Sequence, residues 1–373
     1  MKILFLADIN SAHTVKWVTS LAQRGHEIGI YSLNSSDFDW YSDNPSIKVF
    51  QTVKREMQFF NSSSFFKLGY LSHIRNIKKS IKEFQPDILH AHYASSYGLL
   101  ARLCNFSPFV LSVWGADVYD FPKESFLAKK ILSGNFSAAD LLLSTSEIMK
   151  KEILKYTQKE VRVTPFGIDP SRFYPFNVKS LFEEGTLVMG SVKQLEIKYG
   201  TDYLIQAFKK VVDRNPKQKL ALLLVGSGTM AEAFKNLADD LGLKEKVLFT
   251  GKVPVEKVPE YHNQIDVFLN ISVFNSESFG VSVVEAMACE KPVIVSRIGG
   301  LPEVVIENKT GIIVEPENID ETVLAMELFI HNPQLKKTLG KSGREHVLAN
   351  YNWEENLNDI EKLYHDLLKS AKE

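Results

Sequence analysis

Short apolar runs separated by amphipathic stretches set the rhythm of this chain. "KILFLAD" (residues 2–8), "EIGIYSL" (27–33), "DILHAHY" (87–93), "FVLSVWG" (109–115) and "DLLLST" (140–145) are apolar at most positions. Strands buried on both faces read this way, whereas half-exposed strands alternate. "SAHTVKWVTSLAQRGH" (11–26) and "IRNIKKSIKEFQ" (74–85) instead repeat apolar residues with a helical period. The pattern then starts again. "TLVMGSV" (186–192), "LALLLVG" (220–226), "KVLFTG" (246–251), "VFLNIS" (267–272), "PVIVSR" (292–297) and "GIIVEP" (311–316) predict a second series of strands, with helices over 200–214, 229–241 and 279–290.

Buried strands alternating with helices predict an α/β fold of two Rossmann-like, doubly wound parallel-sheet domains. Three prolines and a glycine in "VTPFGIDPSRFYPFN" punctuate the chain between the two series. The expected division is a first domain over 1–165, a linker over 166–180, a second domain over 181–350, and a C-terminal helix over 351–373 returning to the first domain. Open parallel sheets bind ligands beyond the carboxyl ends of their strands, so a central cleft faced by both domains is the expected site.

Composition narrows the class. A length of 373 residues favours two domains, and 45% hydrophobic with 24% charged residues is the make-up of a soluble globular protein. No run reaches the length of a membrane span. The N-terminus reads as a first buried strand, because Asp8 follows its apolar run at once. Two distant cysteines, Cys104 and Cys289, predict neither a disulfide framework nor a zinc site, and a reducing cytoplasm is the simplest home. Residues 1–165 hold 20 Lys+Arg against 15 Asp+Glu, and the remainder 24 against 30. A basic first half fits an anionic substrate or surface.

The candidate chemistry centres on "NSESFGVSVVEAMACEKPVIVSRIGGLPEV" (275–304). Glu277 lies in a loop after a strand, and Ser278, Phe279, Gly280 and Val281 lead into a helix whose free amides suit a diphosphate. Glu285, two turns further in, is placed to accept hydrogen bonds from ribose hydroxyls, and Glu277 to face the group on the outer phosphate. Lys193 and Lys198 in "GSVKQLEIKYG" (190–200) follow the first strand of the second domain and would neutralise that diphosphate as it leaves.

Competing signals are weaker. "GSGTMA" (226–231) satisfies the dinucleotide fingerprint, but the next strand ends without an acidic residue for the ribose. "DFD" (37–39) resembles a metal-binding pair and reads better as a solvated turn. Residues 54–82 mix seven Lys/Arg with aromatic residues, a composition suited to an anionic membrane face.

Taken in order, "INSAHTVKWVTSLAQRGHEI", "ILHAHY", "VWGADVY", "PFGIDPSRF", "GSVKQLEIKYGTDYLIQAF", "LLLVGSGTM", "VLFTGKV" and "ESFGVSVVEAMACEKPVIVSRIGGLPEVV" resemble retaining family 4 glycosyltransferases of GT-B fold over nearly the whole chain. Two glutamates with seven residues between them are the most specific element. The resemblance implies a retaining, metal-independent transfer of a sugar from a nucleoside-diphosphate donor, a UDP-sugar before a GDP-sugar, to a hydroxyl of a saccharide acceptor, with no cofactor and no nucleic-acid partner. A lipid-linked acceptor in bacterial surface polysaccharide synthesis, at the inner membrane face, is the expected setting.

Residue by residue, the resemblance gives Glu285 the ribose, Phe279 to Val281 the diphosphate and Glu277 the donor sugar. Lys193, where arginine is usual, and Lys198 would grip the diphosphate. Gly190 and Gly226 would line the donor, and Gly251, Lys252 and Val253 would lie against the base. Asn10, His13, His92, Trp114 and Asp117 form the acceptor side, with His13, His92 and Asp117 as catalytic candidates beside Glu277, Lys193 and Lys198. Trp114 stands where histidine is usual, so His13 or His92 would replace that contact. Phe166 and Glu290 replace an asparagine and a glycine. The alternatives are an epimerase of the same architecture and a nucleotide-sugar-binding protein without activity.

Overall fold

A computed structural model describes residues 1–35, 40–51 and 72–370. The "DFD" stretch and the greater part of 54–82 lie outside the described residues. The chain divides into two compact units, Met1–Pro165 with Leu357–Glu373, and Phe166–Asn356.

The first unit runs β1 (Lys2–Leu6), α1 (Ala12–Gln23), β2 (Glu27–Ser32), β3 (Ile47–Gln51), α2 (Ile74–Phe84), β4 (Ile88–His92), α3 (Tyr97–Cys104), β5 (Phe109–Ser112), α4 (Ala116–Tyr119), α5 (Phe126–Ala138), β6 (Leu141–Ser144), α6 (Glu147–Ile153) and β7 (Val161–Val163). Its strands pair in the order β3-β2-β1-β4-β5-β6-β7, parallel throughout. Leu4, Leu89 and Leu111 of the sheet meet Ile77, Leu100 and Phe136 of the covering helices, all buried. Each such side chain contributes about 1.5–3 kcal/mol through the apolar area it withdraws from water.

The second unit runs β8 (Leu187–Val192), α7 (Thr201–Arg214), β9 (Leu220–Val225), α8 (Ala231–Asp240), β10 (Val247–Gly251), α9 (Val258–Gln264), β11 (Val267–Asn270), α10 (Val281–Ala288), β12 (Val293–Ser296), α11 (Leu301–Val304), β13 (Gly311–Val314), α12 (Ile319–His331) and α13 (Pro333–Asn350). The order is β10-β9-β8-β11-β12-β13, again parallel. Leu222, Leu224, Leu269 and Ile294 form a core with Phe208, Phe234 and Phe329.

Two edge strands, β3 and β7, were not predicted. "IKVFQ" is interrupted by Lys48 and ends on Gln51, and "VRV" has only three residues, so neither carries the continuous apolar signature of a central strand. The stretch expected as a linker is part of the second unit. There Ile168 N–H donates to Tyr351 O at 2.6 Å, and the Phe166 ring meets Phe279 edge-on, with centroids 6.0 Å apart.

A last helix, α14 (Trp353–Ser370), contributes its later turns to the first unit. Glu361 accepts from Arg24 at 2.6 Å and pairs with His26 Nε2 at 2.7 Å. Tyr364 OH lies 2.6 Å from His90 Nδ1, whose other nitrogen is 2.8 Å from Ser112 Oγ. Among the described residues no helix is long and apolar enough to cross a membrane.

Candidate active site

In the second sheet the strand order reverses between β8 and β11, the place where doubly wound folds bind ligands. The chain leaving β8 supplies Lys193, and the chain leaving β11 supplies Ser272 and Glu277. Lys193 Nζ lies 2.6 Å from Glu277 Oε2, with side chains only 18% and 7% exposed. Ser272 Oγ is 2.6 Å from Asn270 Oδ1 and 3.1 Å from Glu277 Oε2, so its one proton has two acceptors within reach. Burial works against the charge on Lys193, but Glu277 first, then Tyr199 and Glu285, outweigh it and raise its pKa. Lys193 is therefore a cation at neutral pH. The ring of Tyr199 draws both lysines together, with Lys193 Nζ 4.5 Å and Lys198 Nζ 4.8 Å from its centroid.

Ser278 and Phe279 carry the chain from Glu277 to Gly280, whose φ of 91° precedes the first residue of α10, Val281. A side chain there would be strained and would also strike Leu301 Cδ2, because a Cβ would lie 2.5 Å from it. The "GG" of the following loop closes over this corner, with Gly300 N–H donating to Glu277 O at 2.9 Å. Glu285 is half-buried on α10, its Oε2 3.2 Å from His262 Nε2 of α9. The helix opening and both glutamates thus occupy one corner of the second unit.

The glycines of the dinucleotide fingerprint have another use. A Cβ on Gly226 would lie 2.0 Å from Lys193 O, and one on Gly228 2.2 Å from Leu195 O. Leu195 N–H donates to Ser227 O at 3.0 Å, and Glu196 accepts from both Thr229 N–H and its hydroxyl. Close packing of the 193–196 backbone therefore accounts for glycine at these two positions without a dinucleotide. Gly190, expected to line the donor, is buried within β8, where Leu223 O and Ile265 leave no room for a side chain. Its position answers to packing. Gly251 bridges Gly226, with exposed Lys252 and half-buried Val253 beyond it. Glu290 has a φ of 58°, the left-handed conformation for which glycine is the easier residue.

In the first unit the acceptor-side candidates gather beyond the carboxyl ends of β1, β4 and β5. The Trp114 ring lies over His92, with centroids 4.4 Å apart, and meets half-buried His13 edge-on at 5.7 Å. His92 Nδ1 is 3.3 Å from Thr14 Oγ1. Burial, then His90 and His13, hold the His92 pKa well below the usual range, so His92 is neutral. Asn10 donates through its side-chain amide to Ser35 O at 2.8 Å.

Asp117 is wholly buried, and its carboxylate accepts backbone N–H groups from Ala94 (2.7 Å), Gly115 (2.8 Å) and Trp114 (3.2 Å). Burial pushes its pKa up to about 6, against those hydrogen bonds. Its geometry is that of a residue shaping the loop that carries Trp114, in place of the expected catalytic contact.

Residues 175–346 match the family model described as glycosyl transferases group 1, and residues 2–146 match that of glycosyl transferase 4-like proteins. The chain belongs to the family 4-type glycosyltransferases. It is 28% identical to an uncharacterized glycosyltransferase of Methanocaldococcus jannaschii over 94% of this chain and 93% of that relative. It is 32% identical to a GDP-mannose-dependent α-(1-6)-phosphatidylinositol monomannoside mannosyltransferase of Mycolicibacterium smegmatis, over 51% of this chain and 52% of that relative. The latter match spans about half of either chain. Sucrose-phosphate synthase from Thermosynechococcus elongatus superposes with a TM-score of 0.85 at 20% identity, over 99% of this chain and 100% of that one. Anabaena HepE in complex with UDP superposes with a TM-score of 0.79 at 17% identity, over 98% and 100%. The fold is GT-B.

Four contributors to this corner carried no separate signal in the sequence. Asn270 and Ser272 look like the end of an apolar strand, Tyr199 like a helix-flanking aromatic, and His262 like any polar residue of a short helix. Only the folded contacts give them a part.

Proposed function

We propose that the protein transfers a sugar, with retention, from a nucleoside-diphosphate donor to a hydroxyl of a saccharide acceptor. The observation that carries this reading is the close grouping of Lys193, Glu277 and Lys198 beside the opening of α10, with Glu285 further along that helix. The diphosphate is assigned to the first turn of α10 and the two ammonium groups, the ribose to Glu285 and the sugar to the Glu277 loop. Paired lysines supply positive charge where the leaving diphosphate gathers negative charge, independently of a metal ion.

Glu277 already holds Lys193 at 2.6 Å, and a carboxylate so engaged is a poor nucleophile. This favours departure and attack on the same face, with the leaving phosphate taking the acceptor proton, over a double displacement. The cluster of His13, His92 and Trp114 is assigned to the acceptor side, with Asp117 holding its loop.

The test is thermal melting with UDP, GDP, ADP, CMP and NAD on wild type and Glu285→Ala. A nucleotide at a hundred times its Kd raises stability by roughly 2.7 kcal/mol. Stabilisation by UDP or GDP that disappears in the variant is the expected result and names the donor's base. A response untouched by the substitution, or one to NAD alone, would overturn the ribose assignment.

A lipid-linked acceptor at an anionic membrane is supported by one exposed surface. Phe126 and Leu127, in the first turn of α5, are 76% and 59% exposed beside exposed Lys123, Lys129 and Lys130. Helix α2 of the same unit presents exposed Arg75, Lys78, Lys79 and Lys82, with exposed Glu83 beside them. An exposed apolar pair among cations suits an anionic lipid surface. Sedimentation with phosphatidylglycerol vesicles is expected to fall several-fold for Phe126→Ser/Leu127→Ser. Equal binding by the variant, or none by the wild type, would remove the membrane reading.

A further inference from the structure

We infer that His262 is a positioning residue of the donor site, fixing the Glu285 carboxylate through Nε2 in the orientation that receives the ribose hydroxyls. The inference rests on the assignment of the ribose to Glu285 and adds the residue that makes the assignment work.

His262 is completely enclosed, with its side chain 0% exposed, whereas Glu285 keeps 19% of its side chain accessible. The imidazole packs on Phe173, with centroids 5.9 Å apart, and on Phe268 at 5.4 Å. Its one polar contact is Nε2 to Glu285 Oε2 at 3.2 Å, and Nδ1 has no hydrogen-bond partner among the described residues. An ionised carboxylate only accepts, so this bond requires the proton on Nε2. In the neutral ring Nδ1 is then a bare lone pair among aromatic side chains.

Burying an unsatisfied nitrogen is unfavourable. Were the position a matter of filling space, phenylalanine would suit a pocket walled by Phe173 and Phe268 better. What histidine adds is the single bond to Glu285. A glutamate at the border between protein and solvent samples several rotamers. Held through Oε2, it leaves Oε1 and the remaining lone pair of Oε2 for two vicinal hydroxyls that could both donate.

The experiment compares His262→Phe, His262→Gln and His262→Asn with wild type and Glu285→Ala. It measures Kd by calorimetry for UDP and GDP and for their 2′-deoxy counterparts, dUDP and dGDP, with thermal melts to establish folding. The phenylalanine keeps the packing and removes the donor, so its Kd for the ribonucleotide is expected to rise about tenfold, the worth of one charge-assisted hydrogen bond. Its Kd for the deoxynucleotide, which keeps only the 3′-hydroxyl for Glu285, should rise by a smaller factor. Glutamine, whose amide reaches the level of Nε2, should restore ribonucleotide binding, and the shorter asparagine should not.

Wild-type affinity in His262→Phe, together with a loss in Glu285→Ala, would overturn the role of His262 and leave the ribose assignment standing. Wild-type affinity in Glu285→Ala would sink that assignment itself. Should the phenylalanine variant fail to fold, glutamine and asparagine decide the matter, since equal affinities in those two would contradict a bond through Nε2.

Discussion

Lys193→Met is expected to lower kcat by about two to three orders of magnitude, the scale on which a preorganised charge acts at a developing anion. The reason is geometric. Burial opposes the charge on Lys193, but Glu277, Tyr199 and Glu285 raise its pKa, so under the proposed assignment a diphosphate would meet a lysine already charged and held in place. The same substitution strands Glu277 in a nearly closed environment, because the pair is only 18% and 7% exposed. Breaking one side of a buried ion pair typically destabilises by about 3–5 kcal/mol, whereas replacing both sides with apolar groups is often neutral. The double variant Lys193→Met/Glu277→Leu should therefore melt above Lys193→Met while remaining inactive. A double variant no more stable than Lys193→Met would contradict the stranding of Glu277. Wild-type kcat in Lys193→Met would remove the lysine from the diphosphate site.

Asp117→Ala is expected to have the largest effect on folding of the first unit. Three backbone N–H groups, of Ala94, Gly115 and Trp114, converge on this buried carboxylate, and each orphaned buried donor costs about 1–3 kcal/mol. Asp117→Asn retains one oxygen and should be milder. The pH dependence has a definite sign. The folded pKa of about 6 stands above the ordinary 3.8, so the folded state holds a proton that the unfolded chain has released. The resulting contribution to stability is complete below pH 3.8 and is lost as pH rises through about 6. Urea titrations of wild type and Asp117→Asn across pH 4–7 should differ by this decline. Equal slopes, or an unaltered midpoint in Asp117→Ala, would contradict the role given to the residue.

Both sheets were legible in the sequence because their inner strands are apolar on both faces. The second-unit strands and the helices at 201–214, 231–240 and 281–288 fall within a few residues of their predicted places. The edge strands Ile47–Gln51 and Val161–Val163 escaped because an edge can remain partly polar. The Val267 to Glu285 segment was legible as a strand, a loop and a helix opening, since Gly280 marks the turn and the apolar neighbours of Glu285 point to a partner for its carboxylate.

The linear chain determined the tandem α/β architecture and the residue types that chemistry at a diphosphate needs. Tertiary structure decided which of them meet. It brought Lys193 to Glu277 across 84 positions, turned the fingerprint glycines toward the 193–196 backbone and enclosed Asp117. It also set His262 beneath Glu285, a contact with no periodic signal. Burial pattern is local, repeating along one strand or helix, and so it is written in the sequence. The partner of a polar group depends on where two loops end, and that is fixed only when the sheet has closed its order.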